Sequence, residues 1–175
     1  FYLRGKNLDQ HKFFKSSPQH FNSKLINEIF NIEEFNKIVT IVRNPFDRLK
    51  SEFYWQLKQN LILNKNIKPE EWFNQILLNY EKNPYIYDNH IRPQNEFLID
   101  KAKIFKLEEG LNKVCEYIFE ESSFKIPRIS RNPMKFFKEI KLKEPKKNQA
   151  IEKEFLKIKF KIEDFYYKDY QLLKY

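Results

Sequence analysis

Two arginines and a serine near the first quarter of the chain have the types and spacing needed to bind a phosphate group. Arg43 directly follows the unbroken β-branched run 38–42, and Arg48 and Ser51 come shortly after it. A guanidinium binds phosphate oxygens in a forked geometry, and a hydroxyl adds one hydrogen bond. Together these side chains could hold a phosphate monoester.

The same segment also has an ordinary structural explanation. Residues 44–47 read Asn-Pro-Phe-Asp, which is typical of a helix start with Asn as the N-cap, Pro at the first position and Asp in the first turn. Arg48 could pair with Glu52, a contact that stabilises a helix by only about 0.2–0.5 kcal/mol. Ser51 could simply face solvent. The spacing alone leaves both interpretations open.

The elements around this segment predict an α/β fold that is rich in helices. The run 38–42 is β-branched without alternation, which is typical of a strand buried on both faces of a parallel sheet. Arg43 would then lie at the carboxyl end of that strand, where open α/β sheets bind their ligands. The other predicted elements are a helix capped by Ser23, a helix from 44 to about 60, a helix from 69, a short strand over 102–107, a helix over 108–120 and a helical segment over 149–175.

Two parallel strands make a sheet that is too small to be stable without neighbours. We therefore expect sheet-forming residues to precede Phe1, and we interpret 1–175 as one domain that is incomplete at its N-terminus. Trp55 and Trp72 are interpreted as core rings, since both lie within predicted amphipathic helices.

The composition limits the kinds of partner, binding loop and compartment that are expected for this chain. The chain has 33 Lys+Arg against 24 Asp+Glu, a net charge of +9 that favours an anionic partner. Gly5 and Gly110 are the only glycines, which excludes a glycine-rich phosphate loop within these residues. No run of eighteen apolar residues exists, so no membrane span is predicted. The lone Cys115 predicts a reduced, buried thiol and favours the cytoplasm of a bacterium-like cell; the Golgi lumen is the alternative if an anchor precedes the chain.

Residues 41–54, Ile-Val-Arg-Asn-Pro-Phe-Asp-Arg-Leu-Lys-Ser-Glu-Phe-Tyr, closely resemble the 3′-phosphate-binding motif of the sulfotransferase family. The branch that they resemble most acts on carbohydrates and includes heparan and chondroitin sulfotransferases and their bacterial relatives. Other segments resemble the family in the family's order, so that the resemblance covers nearly the whole chain: 19–21, 92–98, 104–108, 126–137 and 167–175.

The resemblance implies a fold and a reaction. The fold is a parallel sheet flanked by helices, as in P-loop kinases. The reaction is the transfer of a sulfuryl group from 3′-phosphoadenosine 5′-phosphosulfate (PAPS) to a hydroxyl of a carbohydrate or polysaccharide, by in-line attack and without a metal. The family's first strand and its glycine-containing loop for the 5′-phosphosulfate have no counterpart here. The chain is therefore expected to be the later part of a longer protein or a truncated relative without activity.

The same resemblance assigns a catalytic base and cofactor-binding residues. His20 stands where the family has a histidine-bearing segment upstream of the strand, and it is the candidate base, with His11 in reserve. Histidine suits this role because its pKa lies near neutrality. Arg43 and Ser51 are assigned to the 3′-phosphate, and Arg131 is expected to approach the cofactor from the irregular segment.

His90, Arg92 and Gln94 are the candidate substrate-binding residues. His90 is expected to shape the acceptor cleft or the core, and Arg92 and Gln94 are expected to line the acceptor or the donor site. The alternative for Arg92 and Gln94 is that they hold the turn in which they lie. A basic nucleic-acid-binding domain would also explain the charge and the aromatic residues, but the sequence contains no zinc spacing and no RNA-binding strand motif. We therefore expect no nucleic acid partner.

Overall fold

The computed structural model describes residues 16–62, 64–120 and 144–175. Within these ranges, helices pack around a small parallel sheet, which confirms the predicted helix-rich α/β fold. The elements are α1 (Ser23–Ile29), β1 (Val39–Val42), α2 (Pro45–Lys58), α3 (Pro69–Lys82), β2 (Lys103–Lys106), α4 (Asn112–Phe119), α5 (Pro145–Lys157), α6 (Lys159–Phe165) and α7 (Tyr167–Leu173). Short 3₁₀ turns cover Pro18–His20, Ile32–Glu34, Gln94–Phe97 and Leu107–Glu109, and Ile86–Asn89 forms a turn with left-handed backbone.

The sheet consists of β1 and β2, which run parallel from the pair Val39–Lys103 to the pair Val42–Lys106. Helices α2 and α3 lie in the connection, as a parallel pair requires a long crossover. Val42 is 1% exposed, but Ile41 is 45% exposed. The prediction of a strand buried on both faces is thus wrong for Ile41, because β1 has a strand neighbour on only one side within the described residues.

The core lies where α2, α3, α5 and α6 meet. The apolar stripe predicted for α2 is confirmed, since Leu49 and Phe53 are almost fully buried. The ring centroid of Phe53 lies 4.9 Å from that of Trp72 and 5.3 Å from that of Phe155, and both pairs meet edge to face. Burying rings of this size stabilises each helix by about 1.5–3 kcal/mol per side chain. This packing fixes the orientation of α2, and with it the direction in which the opposite, polar side of the helix faces.

The helical C-terminal segment begins at Pro145 and is broken into three helices. The breaks fall at Ile158 and Tyr166, where ψ is 9° and 22°. Both residues are at most 2% exposed, and the hydroxyl of Tyr166 donates to the carbonyl of Ile91 at 2.7 Å. Each break turns the next apolar side chains back toward the core, a tertiary effect that periodicity does not reveal.

Two helix starts differ from their predictions. The side chain of Asn22, not of Ser23, caps α1 by accepting from the N–H of Leu25 at 3.1 Å. The helix predicted from 108 begins at Asn112, because Gly110 has a φ of 89° that ends the preceding 3₁₀ turn. In α4, Cys115 is buried, as predicted. None of the helices in the described ranges combines the length and the apolar character needed to cross a membrane.

Candidate functional site

A cleft of about 760 Å³ lies against β1 and the side of α2 that carries Ser51. This volume falls within the range of roughly 300–1,000 Å³ that is usual for ligand pockets. The cleft brings together five of the residues that were assigned to the site from the sequence: His20, Arg43, Ser51, His90 and Gln94.

Arg43 is held in place through its main chain. Its N–H donates to Oε1 of Gln94 at 2.8 Å, and its carbonyl accepts from Nε2 of Gln94 at 2.7 Å. The side-chain amide of Gln94 therefore pairs with the end of β1 as a neighbouring strand would. This pairing sets the point from which the Arg43 side chain extends, so Gln94 acts on the site through Arg43.

The guanidinium of Arg43 lies in a partly desolvated position between carboxylates. Burial lowers its pKa, and the negative charges of Asp47 and Glu108 oppose this shift. The group stays protonated, since arginine is not deprotonated in proteins. A partly desolvated cation at the end of a strand favours an anionic ligand.

Helix α2 starts as the sequence predicted and presents Ser51 to the cleft. The side chain of Asn44 accepts from the N–H of Asp47 at 3.2 Å, and Pro45 occupies the first turn. The N–H of Asn44 donates to Oε1 of Glu108 at 2.7 Å, which ties the helix start to the turn after β2. Ser51 lies in the second turn and lines the cleft with Arg43.

Arg48 does not form the pair with Glu52 that its spacing allows. Its guanidinium donates to the carbonyl of Arg92 at 2.9 Å and to that of Asn89 at 3.4 Å. Arg48 therefore links α2 to the segment that carries His90.

His20 is bound to a carboxylate that lies far away in the sequence. Its Nδ1 is 2.8 Å from Oδ2 of Asp88. Ser17 donates to the same carboxylate twice, through its hydroxyl to Oδ2 and its N–H to Oδ1, both at 2.6 Å. Burial alone would raise the pKa of Asp88, but the hydrogen bonds from His20 and Ser17 hold it well below its usual value. Asp88 is therefore an ionised acceptor at neutral pH.

His90 has a carboxylate partner of its own. Its Nδ1 lies 2.8 Å from Oε2 of Glu52, which is only 7% exposed. The other oxygen of Glu52 accepts from Gln56 at 2.8 Å, and Gln56 accepts from the indole of Trp72 at 3.0 Å. The rings of His90 and His20 meet edge to face with centroids 4.5 Å apart. The cleft thus contains two adjacent histidines, each fixed through Nδ1.

Arg92 lies outside the cleft lining. It is 5% exposed, and its guanidinium donates to Asn89 at 2.9 Å, to the carbonyl of Pro84 at 3.1 Å and to the carboxylate of Glu96. These contacts favour the alternative in which Arg92 holds its turn. Arg131, the remaining predicted cofactor residue, and the reserve base His11 lie outside the described residues.

The turn that carries Gln94 is held by α7. The carboxylate of Asp169 is fully buried and accepts from the N–H of Gln94 and the N–H of Asn95, both at 2.7 Å. Burial raises the pKa of Asp169, and the two N–H donors oppose the shift. The last helix is thereby connected to Arg43 through Gln94.

Sequence reasoning missed several of these residues. Asp88 and Glu52 meet their histidines across 68 and 38 positions, and no local pattern signals such pairs. Trp55, interpreted as a core ring, packs against the core but also lines the cleft, with its ring centroid 5.7 Å from that of His90. The only available signal was the i, i+3 spacing of Trp55 from Glu52, which places both on one side of α2.

The chain resembles a known protein family along most of its length. The chain matches the family described as "Sulfotransferase family" over residues 4–175, a range that includes the whole cleft. No curated protein and no solved structure matches the chain significantly. Since the match extends over nearly the entire chain, this protein belongs to the sulfotransferase family and is a sulfuryl-transferring enzyme.

Proposed function

We propose that the chain transfers a sulfuryl group from PAPS to a hydroxyl of a carbohydrate acceptor. The observation that supports this best is the convergence of His20, Arg43 and Ser51 on one cleft. The three residues come from a 3₁₀ turn, a strand end and a helix. A proton acceptor and phosphate-binding donors in the same cleft are what sulfuryl transfer from a phosphorylated nucleotide requires.

The donor side of the cleft fits a phosphate. The cationic fork of Arg43 and the hydroxyl of Ser51 are suited to the 3′-phosphate of PAPS. When bound, PAPS supplies an activated sulfuryl group attached to a phosphate leaving group. We assign only the 3′-phosphate end to described residues, because the sequence contains no glycine-rich loop for the 5′-phosphosulfate.

The acceptor side carries the proton-transfer group. An attacking hydroxyl must lose its proton, and an imidazole accepts it well near neutral pH. We assign this step to His20, which is 30% exposed. His90 and Trp55 lie beside it and offer the acceptor one polar and one apolar surface, the combination that usually lines sites for small organic ligands. Arg92 supports this side by holding the turn.

The 3′-phosphate assignment predicts a loss of nucleotide affinity on Arg43→Ala. We expect 3′-phosphoadenosine 5′-phosphate to bind about 10- to 150-fold more weakly, because a charge-assisted hydrogen bond contributes about 1.5–3 kcal/mol. Calorimetric titration measures this difference. Arg43→Lys keeps the positive charge but loses the forked donor geometry. Its nucleotide affinity is therefore expected to lie between that of the unmodified chain and that of Arg43→Ala.

The matched control for this titration is Lys82→Ala, which removes an exposed cation at the end of α3, away from the cleft. It is expected to bind the nucleotide as the unmodified chain does. Equal affinity in Arg43→Ala and the unmodified chain would contradict the assignment of the site.

A further inference from the structure

We infer that Asp88 is a positioning residue that keeps the ring proton of His20 on Nδ1, so that Nε2 is the nitrogen that accepts the proton of the substrate hydroxyl. The inference rests on the proposed role of His20 as the base. It is carried by the 2.8 Å contact between Nδ1 of His20 and Oδ2 of Asp88. An ionised carboxylate only accepts hydrogen bonds, so Nδ1 must carry the hydrogen in this contact.

The backbone around Asp88 is shaped to make this contact. Tyr87, Asp88 and Asn89 have φ values of 50°, 54° and 65°. Left-handed backbone is unfavourable for residues with a Cβ, and three in succession persist only where surrounding contacts enforce them. The amide of Asn89 donates to the carbonyl of His20 at 2.8 Å. The turn therefore holds His20 at its main chain and its side chain at once.

Ser17 fixes the orientation of the carboxylate. Its N–H donates to Oδ1 of Asp88 at 2.6 Å, and its hydroxyl donates to Oδ2 at 2.6 Å. With both oxygens bound from this side, the carboxylate is not free to rotate away from His20. The N–H of Ser17 also determines how the side-chain amide of an asparagine would be oriented in place of Asp88.

The substitution Asp88→Asn is therefore expected to reverse the tautomer of His20. The N–H of Ser17 can only donate, so the amide oxygen of asparagine must occupy the position of Oδ1. The amide NH₂ then occupies the position of Oδ2 and donates to Nδ1 of His20. The ring is forced to carry its hydrogen on Nε2, where a lone pair is needed for proton abstraction. A change of one atom thus removes the base without removing the histidine.

The first test measures the tautomer directly, by long-range ¹H–¹⁵N correlation spectra of the three histidine rings. The signals of His20 are identified by their loss in His20→Gln. In the unmodified chain with neutral rings, Nδ1 of His20 is expected to be protonated and Nε2 unprotonated, and Asp88→Asn is expected to reverse this. Protonated Nε2 in the unmodified chain would overturn the inference, and this measurement does not depend on turnover.

The second test measures turnover with PAPS and a carbohydrate acceptor. Asp88→Asn is expected to lower kcat by about 100-fold, while the acceptor KM stays unchanged, because the wrong tautomer cannot act as a base. Asp88→Ala leaves the ring to choose its tautomer and is expected to lose less than Asp88→Asn. If Asp88 only shaped the turn, Asp88→Ala would lose more turnover than Asp88→Asn, since asparagine is closer to aspartate in size and shape.

Asp100→Asn, which changes an exposed aspartate before β2, is the control and is expected to leave kcat and the tautomer unchanged. The two proposals can fail separately. Equal turnover in His20→Ala and the unmodified chain would remove the base assignment but leave the tautomer result intact. A tautomer that does not depend on Asp88 would overturn the inference and leave nucleotide binding at Arg43 untouched.

Discussion

The variant His20→Ala is expected to lose about 10²- to 10⁴-fold in turnover, the usual contribution of a general base. Its affinity for 3′-phosphoadenosine 5′-phosphate is expected to stay unchanged, because Arg43 and Ser51 are left intact. The imidazole of His20 is 30% exposed, so its removal costs little packing. Steady-state kinetics and calorimetry on the same preparation separate the two effects.

Two further measurements strengthen this test. Imidazole added to His20→Ala is expected to restore part of the rate if a missing proton acceptor is the cause, whereas a misfolded variant would not recover. Lys24→Ala, which alters an exposed side chain on α1, is expected to behave as the unmodified chain. Full turnover in folded His20→Ala would assign the base elsewhere.

The second large effect is expected on stability. Asp169→Asn should lower the free energy of unfolding by about 2–4 kcal/mol. The asparagine oxygen can accept from one of the N–H groups of Gln94 and Asn95, but its NH₂ then faces the other. Each lost hydrogen bond to a charged group contributes about 1.5–3 kcal/mol. The desolvation that raises the pKa of Asp169 offsets part of this loss, since the buried charge is itself unfavourable.

Urea unfolding followed by the fluorescence of the buried Trp72 measures this change. The control is Asp164→Asn on α6, an exposed aspartate whose replacement is expected to stay within about 0.5 kcal/mol. The weakened turn should also loosen Gln94 from Arg43 and reduce nucleotide affinity. A stability of Asp169→Asn equal to that of the unmodified chain would show that the carboxylate is not needed to hold the turn.

The parts of the molecule that follow from local chemistry were predictable. The Asn44 cap, Pro45 and the apolar stripe of α2 are determined within a few neighbouring residues, so the helix start could be read from the sequence, whereas the spacing left open whether Ser51 faces the cleft or solvent. The strand before Arg43 has an equally local signal. The identification of the cleft followed from the same segment, because strand ends in α/β folds bind ligands.

The parts that depend on distant partners were not predictable. Asp169 meets Gln94 across 75 positions, and its role in holding that turn has no local pattern. His20 meets Asp88 across 68 positions, again without a local pattern. The breaks in the C-terminal helices come from packing against the core. In each case the contact forms only in the folded chain.

The wide sequence separation of these contacts has a consequence for how the enzyme is made. The cleft depends on hydrogen bonds that span 51, 71 and 75 positions. Closing such long loops slows folding, because chain entropy is lost before the contacts form. The last of these contacts requires Asp169, which lies on α7. During synthesis on the ribosome, a nascent chain therefore cannot complete the cleft until Asp169 has emerged from the exit tunnel.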